Sequence, residues 1–132
     1  MLPGAPFAEL WCVDFEYRSD PGERPWVVCM AAREFNSGRE IRLRRRELLT
    51  LNRAPFNIGS DAALVAYYAS AEIQSFLELG WPLPANVIDL FTEHRVETNG
   101  RKSLLDKKLG NKLLGALAFV AWRTSTPARN KR

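Results

Sequence analysis

Two cysteines, one histidine, and no apolar run near the ~20 residues that a bilayer span requires: these scarcities bound what the 132-residue chain does. No helical membrane span is expected within it. The N-terminus also lacks a basic segment followed by a long apolar core, so export is not expected and the setting reads as cytoplasmic. Cys12 and Cys29 are too few for a disulfide framework or a Cys/His zinc pattern. Each lies inside an apolar stretch, which predicts buried, reduced thiols. There is no Gly-rich phosphate loop and no dinucleotide fingerprint, which removes kinase and dehydrogenase readings. His94 has no Ser or Cys nucleophile in its context and reads as a surface or helix-end residue rather than a catalytic base.

What is present describes an ordinary folded domain. An apolar share of 46% and a charged share of 26% sit far from the low-hydrophobicity regime of disorder. The length suits one domain, because two cores would leave neither half enough buried surface. The net charge of +4 is unevenly spread. Arg42, Arg44, Arg45 and Arg46 form one basic cluster. Beyond Thr98, Arg101, Lys102, Lys107, Lys108, Lys112, Arg123, Arg129, Lys131 and Arg132 are opposed only by Asp106. Such clusters attract a polyanion; a solvated surface with a basic tail accounts for them equally well.

Along the chain, Leu10–Val13 is a short β-prone apolar run ending at Asp14, the length of a buried strand. Turn formers from Ser19 to Pro25 separate it from an apolar stretch over Trp26–Ala32, which predicts a hairpin. After Asn36-Ser37-Gly38, Glu40–Leu43 alternates like a half-exposed edge strand. Arg45–Leu51 suits a short helix. Asp61–Tyr67 reads as a strand, and Ala69–Leu79 as a helix with Ile73, Phe76 and Leu77 on its apolar face and Gly80 at its end. Pro82 and Pro84 lead into a second parallel strand, Asn86–Leu90, and then a helix near Phe91. Leucines from Leu104 to Leu117 recur at helical intervals up to about Trp122. Trp11, Trp26, Trp81 and Trp122 lie in apolar runs and read as core rather than as stacking platforms.

The sharpest local feature is Asp14-Phe15-Glu16 at the end of the first strand. Residues two apart on a strand share a face, so both carboxylates project together where open α/β sheets place ligands. Neighbouring carboxylates repel one another unless a divalent cation supplies the opposing charge.

With a meander, a helix, a strand, a helix and a further strand in that order, the sequence resembles the DnaQ-like, or DEDD, exonucleases, especially the 3′→5′ exonuclease domain of family A DNA polymerases from phages and bacteria. The first motif of that family is matched by Asp14 and Glu16. Its second falls on Ala66-Tyr67-Tyr68-Ala69-Ser70-Ala71-Glu72, where Glu72 stands for the usual Asp. Leu79 to Leu90, with Gly80, Trp81, Pro82 and Asp89, looks like the stretch that follows motif two. The likeness covers roughly Glu9 to Gly100.

The resemblance implies an α/β, RNase H-like core: a mixed sheet with a three-strand antiparallel meander, then two parallel strands with intervening helices. It implies a domain over 1–123 and a basic disordered tail over 124–132. It also implies a metal site for Mg²⁺ or Mn²⁺ on Asp14, Glu16 and Glu72, with a single-stranded DNA 3′ end as substrate. Arg44, Arg45 and Arg46 would guide the strand, and Tyr67 or Tyr68 would stack on a base. Core packing is the alternative for the two tyrosines, favouring of the helix dipole for Glu72, and an N-cap role for Asp89.

The family's third motif, a Tyr or His a few residues before an Asp, has no match. No Tyr follows Tyr68, and Asp106 is the only Asp beyond Asp89. The two-metal site is therefore expected to be incomplete and the domain C-terminally shortened, with hydrolysis slow or absent unless a polymerase domain or second chain completes it. Asp106, Glu93 and Glu97 are the weak substitutes for a fourth ligand. A non-cleaving remnant that binds nucleic acid or a polymerase partner is the alternative.

Overall fold

The computed structural model describes residues 4, 6–99, 112–114, 116, 117 and 120. Strict alternation builds the first strand, β1 (Glu9–Arg18): Trp11, Val13 and Phe15 are buried, while Cys12, Asp14 and Glu16 face outward. It pairs antiparallel with β2 (Trp26–Glu34), and β2 pairs antiparallel with β3 (Glu40–Arg44). A single turn of helix, α1 (Arg45–Leu48), follows and inserts Leu48 into the core. β4 (Ala62–Ala66) is buried at every position and lies parallel to β1; β5 (Val87–Asp89) lies parallel to β4. Between them runs α2 (Ala69–Leu79), closed by Gly80 with φ 69°, a left-handed cap that suits glycine. The sheet order is β3-β2-β1-β4-β5. A three-strand meander with two parallel strands added beyond its first strand is the RNase H-like arrangement, as the order of elements in the sequence implied.

The chain separates into two compact units, residues 1–90 and 91–132. All five strands, α1 and α2 belong to the first unit. The second holds α3 (Leu90–Thr98) beyond its first residue, where the Thr98 hydroxyl donates to the His94 carbonyl. The turn at Gly100, Asp106, Trp122 and the basic tail fall outside the described residues. So does most of the leucine-rich stretch, of which residues 113, 114, 116, 117 and 120 are helical.

One aromatic cluster joins the layers of the first unit. Trp11 and Phe15 from β1 meet Phe56 from the loop before β4, Phe76 from α2, and Trp81 just beyond it. Trp11 stacks on Phe56 at 5.2 Å, and Phe76 meets Trp81 edge-on at 5.4 Å and Phe15 at 5.9 Å. The Trp81 indole N–H donates to the Leu51 carbonyl at 3.1 Å, so burial leaves it satisfied. On the opposite face of the sheet, Leu10, Ala63 and Val65 form a smaller cluster with Phe7 and Ile88.

Three expectations are corrected. Cys12 is exposed and Cys29 half-buried, although both are free thiols, because Cys12 occupies an outward position of β1 and Cys29 shares that face. The inward face of α2 is Ala69, Glu72, Ser75 and Phe76, whereas Leu77 is 62% exposed. A carboxylate, invisible to apolar periodicity, holds one of its core-facing positions. His94 is buried rather than at the surface.

Glu34 ends β2 as a buried carboxylate that organises two chain segments. It accepts from the Leu10 N–H at 3.1 Å and from the Ser37 N–H at 2.6 Å, fastening the start of β1 to the β2–β3 turn. Burial alone would push its pKa up. The N–H groups of Ser37, Leu10 and Asn36 with the Ser37 hydroxyl outweigh it and bring the pKa down from 4.5 to about 2. A carboxylate with a depressed folded-state pKa contributes stability that is present above its unfolded value and lost as pH falls through the folded one. Glu34→Gln is therefore expected to lower unfolding free energy at pH 7 by about 1–3 kcal/mol and to flatten the loss of stability between pH 4.5 and about 2. Urea denaturation across that range checks both. An unchanged acid limb in the variant would refute this role.

Candidate functional site

β4 accompanies β1 only from the Glu9–Ala62 pair to the Cys12–Val65 pair. Beyond Cys12 that edge of β1 has no neighbouring strand, because the chain leaves β4 at Ala66 and turns into α2. The turn is tight. Tyr68 adopts φ 69° and ψ 61°, the one left-handed non-glycine residue among those described, a conformation that costs roughly 1–2 kcal/mol for a side-chain-bearing residue. Asp89, at the end of β5, holds it: its Oδ1 accepts from the Tyr68 N–H at 3.2 Å. The Ala71 N–H then donates to the Tyr68 carbonyl at 3.1 Å as the helix starts.

This turn delivers Glu72 to the open edge of β1. The backbone N–H of Phe15, the residue between Asp14 and Glu16, lies close enough to the Glu72 carboxylate to favour its charged form. Its side chain is buried, and its Oε2 has no hydrogen-bond partner among the described residues. Burial raises its pKa; the N–H groups of Phe15 and of Glu72 itself pull it down; the charges of Asp14 and Asp89 raise it again, and the balance lies above the ordinary carboxylate value. Glu72 on α2 therefore feels the charges of Asp14 on β1 and Asp89 on β5.

The outward face of β1 carries the other half of the site. Asp14 and Glu16 project on it, as their spacing predicts, and no ion pair among the described residues involves either. They border a groove of about 370 Å³ whose floor includes Cys29 and Ala31 and whose far wall is Arg42, Arg44 and Glu47. Among the described residues no three His, Cys, Asp or Glu side chains lie within joint reach of one cation. The structure thus brings Glu72 to Asp14 but does not close Asp14, Glu16 and Glu72 around a single point. Glu72 is buried at the strand edge while the other two lie exposed on the sheet's outward face.

The remaining candidates divide by environment. Arg45 is half-buried and engaged: it bridges Glu78 of α2 at 3.1 Å, donates to the Val27 carbonyl at 2.8 Å and stacks over Trp26 at 5.1 Å. Arg44 and Arg46 are exposed. Tyr67 is half-buried, its hydroxyl pKa pushed up by burial and by Asp89, whereas Tyr68 is 54% exposed beside the turn. Glu93 and Glu97 are exposed on α3, in the other unit. Sequence reasoning missed two contributors. Asp89 directly precedes α3, where the sequence places a cap, and it also accepts from the Tyr68 N–H 21 residues away, a partnership that no local pattern announces. Glu78 holds the Val27 N–H at 3.2 Å as well as Arg45, tying α2 to β2.

No protein-family model matches this chain, and no curated protein matches it. Among solved structures, the chain is similar to the crystal structure of the Aedes aegypti Nibbler EXO domain. The match has 14% identity, covers 92% of this chain and 67% of that one, and has a TM-score of 0.48. At that identity and score the likeness does not decide what this chain does, and the reading of the site rests on its own residues.

The raised pKa of Glu72 has a thermodynamic sign. A carboxylate whose folded-state pKa is raised contributes stability that is complete below its unfolded value and lost as pH rises through the folded one. Glu72→Gln is expected to be more stable than the unsubstituted protein at neutral pH, with the difference shrinking as the solution is acidified. Thermal unfolding without divalent ions at several pH values reads this. A variant equally destabilised at neutral and acid pH would show that Glu72 serves the fold as an ionised hydrogen-bond acceptor.

Proposed function

We propose that this chain is a divalent-metal-dependent exonuclease-type domain that engages the 3′ end of single-stranded DNA, of the lineage attached to DNA polymerase I-like proteins, with hydrolysis weakened by the unmatched third motif. One observation carries the reading: a buried carboxylate from α2, with an oxygen that has no hydrogen-bond partner among the described residues, lies near enough to the end of β1 to feel the charge of Asp14. A protein gains nothing in stability by burying an acid beside two others. Oxygen donors of this kind select a hard cation such as Mg²⁺ or Mn²⁺, which would have to draw the three carboxylates together, since among the described residues they do not share one point. Asp14, Glu16 and Glu72 would hold it.

When bound, paired divalent ions supply an activated water and stabilise the leaving oxygen of a phosphodiester. The chain's own residues set the geometry. The Phe15–Phe76 contact sets where Glu72 arrives, the Asp89–Tyr68 bond fixes the start of α2, and the exposed face of β1 leaves room for a phosphate beside Asp14. No described side chain is placed to orient the attacking water, which is why slow turnover is the expected behaviour. The open arrangement of the three acids also favours a second reading, a domain that binds a nucleic-acid end or a polymerase partner without cleaving it.

Mn²⁺ is expected to raise the Tm of the purified protein, since a ligand that binds only the folded state stabilises it by mass action, and to leave the Tm of Asp14→Ala unchanged. A 5′-labelled single-stranded oligonucleotide should be shortened slowly from its 3′ end, and not at all by that variant. A Tm raised equally in both proteins would overturn the metal assignment. Metal binding without any shortening would select the non-cleaving reading.

A further inference from the structure

Strand register turns the four-arginine cluster into a spatial pattern. Asp14 pairs with Ala31 and Ala31 with Arg42, so these three side chains share one row on the outward face of the sheet. Glu16, Cys29 and Arg44 form the next row. Each row spans two interstrand steps, about 10 Å, with a small side chain in the middle. The result is a trough with the Asp14 and Glu16 carboxylates on one wall and, on the other, the Arg42 and Arg44 guanidinium groups with the Glu47 carboxylate beside them, and the floor between keeps the two walls from neutralising one another.

The arginine wall carries surplus positive charge. Glu40 is shared between Arg33 and Arg42, each at 3.2 Å, and both arginines are exposed, so the pairing is weak. Arg44 has no carboxylate in ion-pair reach among the described residues. Beyond it, a second hollow of about 480 Å³ is lined by Arg44, Arg46 and Glu47. The two hollows share Arg44 and Glu47, so a track of positive charge leads away from Asp14 and Glu16 along β3 and the start of α1. Arg45 lies outside this track, engaged with Glu78 and Trp26.

We propose that Arg42 and Arg44 form a phosphate subsite for a single nucleic-acid strand whose terminal phosphodiester lies at Asp14, the chain running on past Arg46. This deepens the exonuclease-type reading and rests on it. Guanidinium groups suit the task because they present several donors to phosphate oxygens. Backbone recognition of this kind is indifferent to base sequence, and the polarity follows from the acids standing at one end of the track.

The test is the salt dependence of oligonucleotide binding, read by fluorescence anisotropy with Ca²⁺ present, using labelled oligothymidylate and oligouridylate. Arg42→Gln/Arg44→Gln should retain the circular dichroism of the unsubstituted protein, since both side chains are exposed. Its slope of log K against log salt should be shallower by about 1.4, from ~0.7 per phosphate contact on a single strand, whereas Arg53→Gln should leave the slope unchanged. A shallower slope with either oligonucleotide supports the subsite. An unchanged slope with both, while the unsubstituted protein binds and Mn²⁺ still raises its Tm through Asp14, removes the subsite and leaves the metal site standing. Failure of the unsubstituted protein to bind either oligonucleotide overturns both.

Discussion

Phe15 is packed against α2, and the rest of the first unit is arranged around that contact. Its ring meets Phe76 at 5.9 Å, and Glu72, one helical turn earlier, comes near its backbone N–H. Positions four apart lie on one face of a helix, so packing the ring fixes where the carboxylate arrives. Magnitudes explain why the arrangement persists. Burying a phenylalanine contributes ~1.5–3 kcal/mol, and Phe76 has Phe56 and Trp81 around it as well as Phe15. Leaving one buried carboxylate oxygen without a donor costs ~1–3 kcal/mol. One phenylalanine only matches that cost, which is larger still for a charged group, so it is the packing of the whole aromatic cluster that keeps the acid where solvation would not.

A second constraint acts at the other end of the helix. Glu78 accepts from the Val27 N–H and pairs with Arg45, so α2 is anchored to β2 near its C-terminus while the Tyr68 turn anchors its N-terminus through Asp89. The ion pair is half-buried and charge-assisted, so it holds the helix end to the strand more firmly than a surface pair would. This explains the division of labour within the arginine cluster. The side chain that reaches back over Trp26 fixes the helix, and its neighbours along β3 remain on the sheet's outward face.

Much of this architecture was legible in the residues. The alternation of Trp11, Val13 and Phe15 with Cys12, Asp14 and Glu16 states both faces of β1, and Gly80 marks the end of α2 because a left-handed cap follows the last helical residue there. The Asp14 and Glu16 pair was readable for the same reason, since period two is local. What escaped was set by partners distant in sequence. Glu34 and Leu10 are 24 positions apart, and Asp89 and Tyr68 are 21 apart. Glu72 occupies a core-facing position that hydrophobic periodicity assigns to an apolar residue, so the inward stripe of α2 was misplaced toward Leu77. The resemblance to a nuclease motif picked out Glu72; no pattern of burial or spacing would have done so.

The separation of charge on the outward face bears on why the acids stay apart. Had Arg42 or Arg44 stood on β2 rather than β3, each would lie directly opposite Asp14 or Glu16, and ion pairs across adjacent strands would neutralise both sets. Ala31 and Cys29 occupy those positions instead. Their small side chains hold the opposite charges two strands apart, so a cation drawn by one wall and a phosphate drawn by the other can occupy the same trough. Sheet register, through the placement of two small residues on the middle strand, is thus the feature that converts an acidic pair and an arginine cluster into a single surface with two complementary sides.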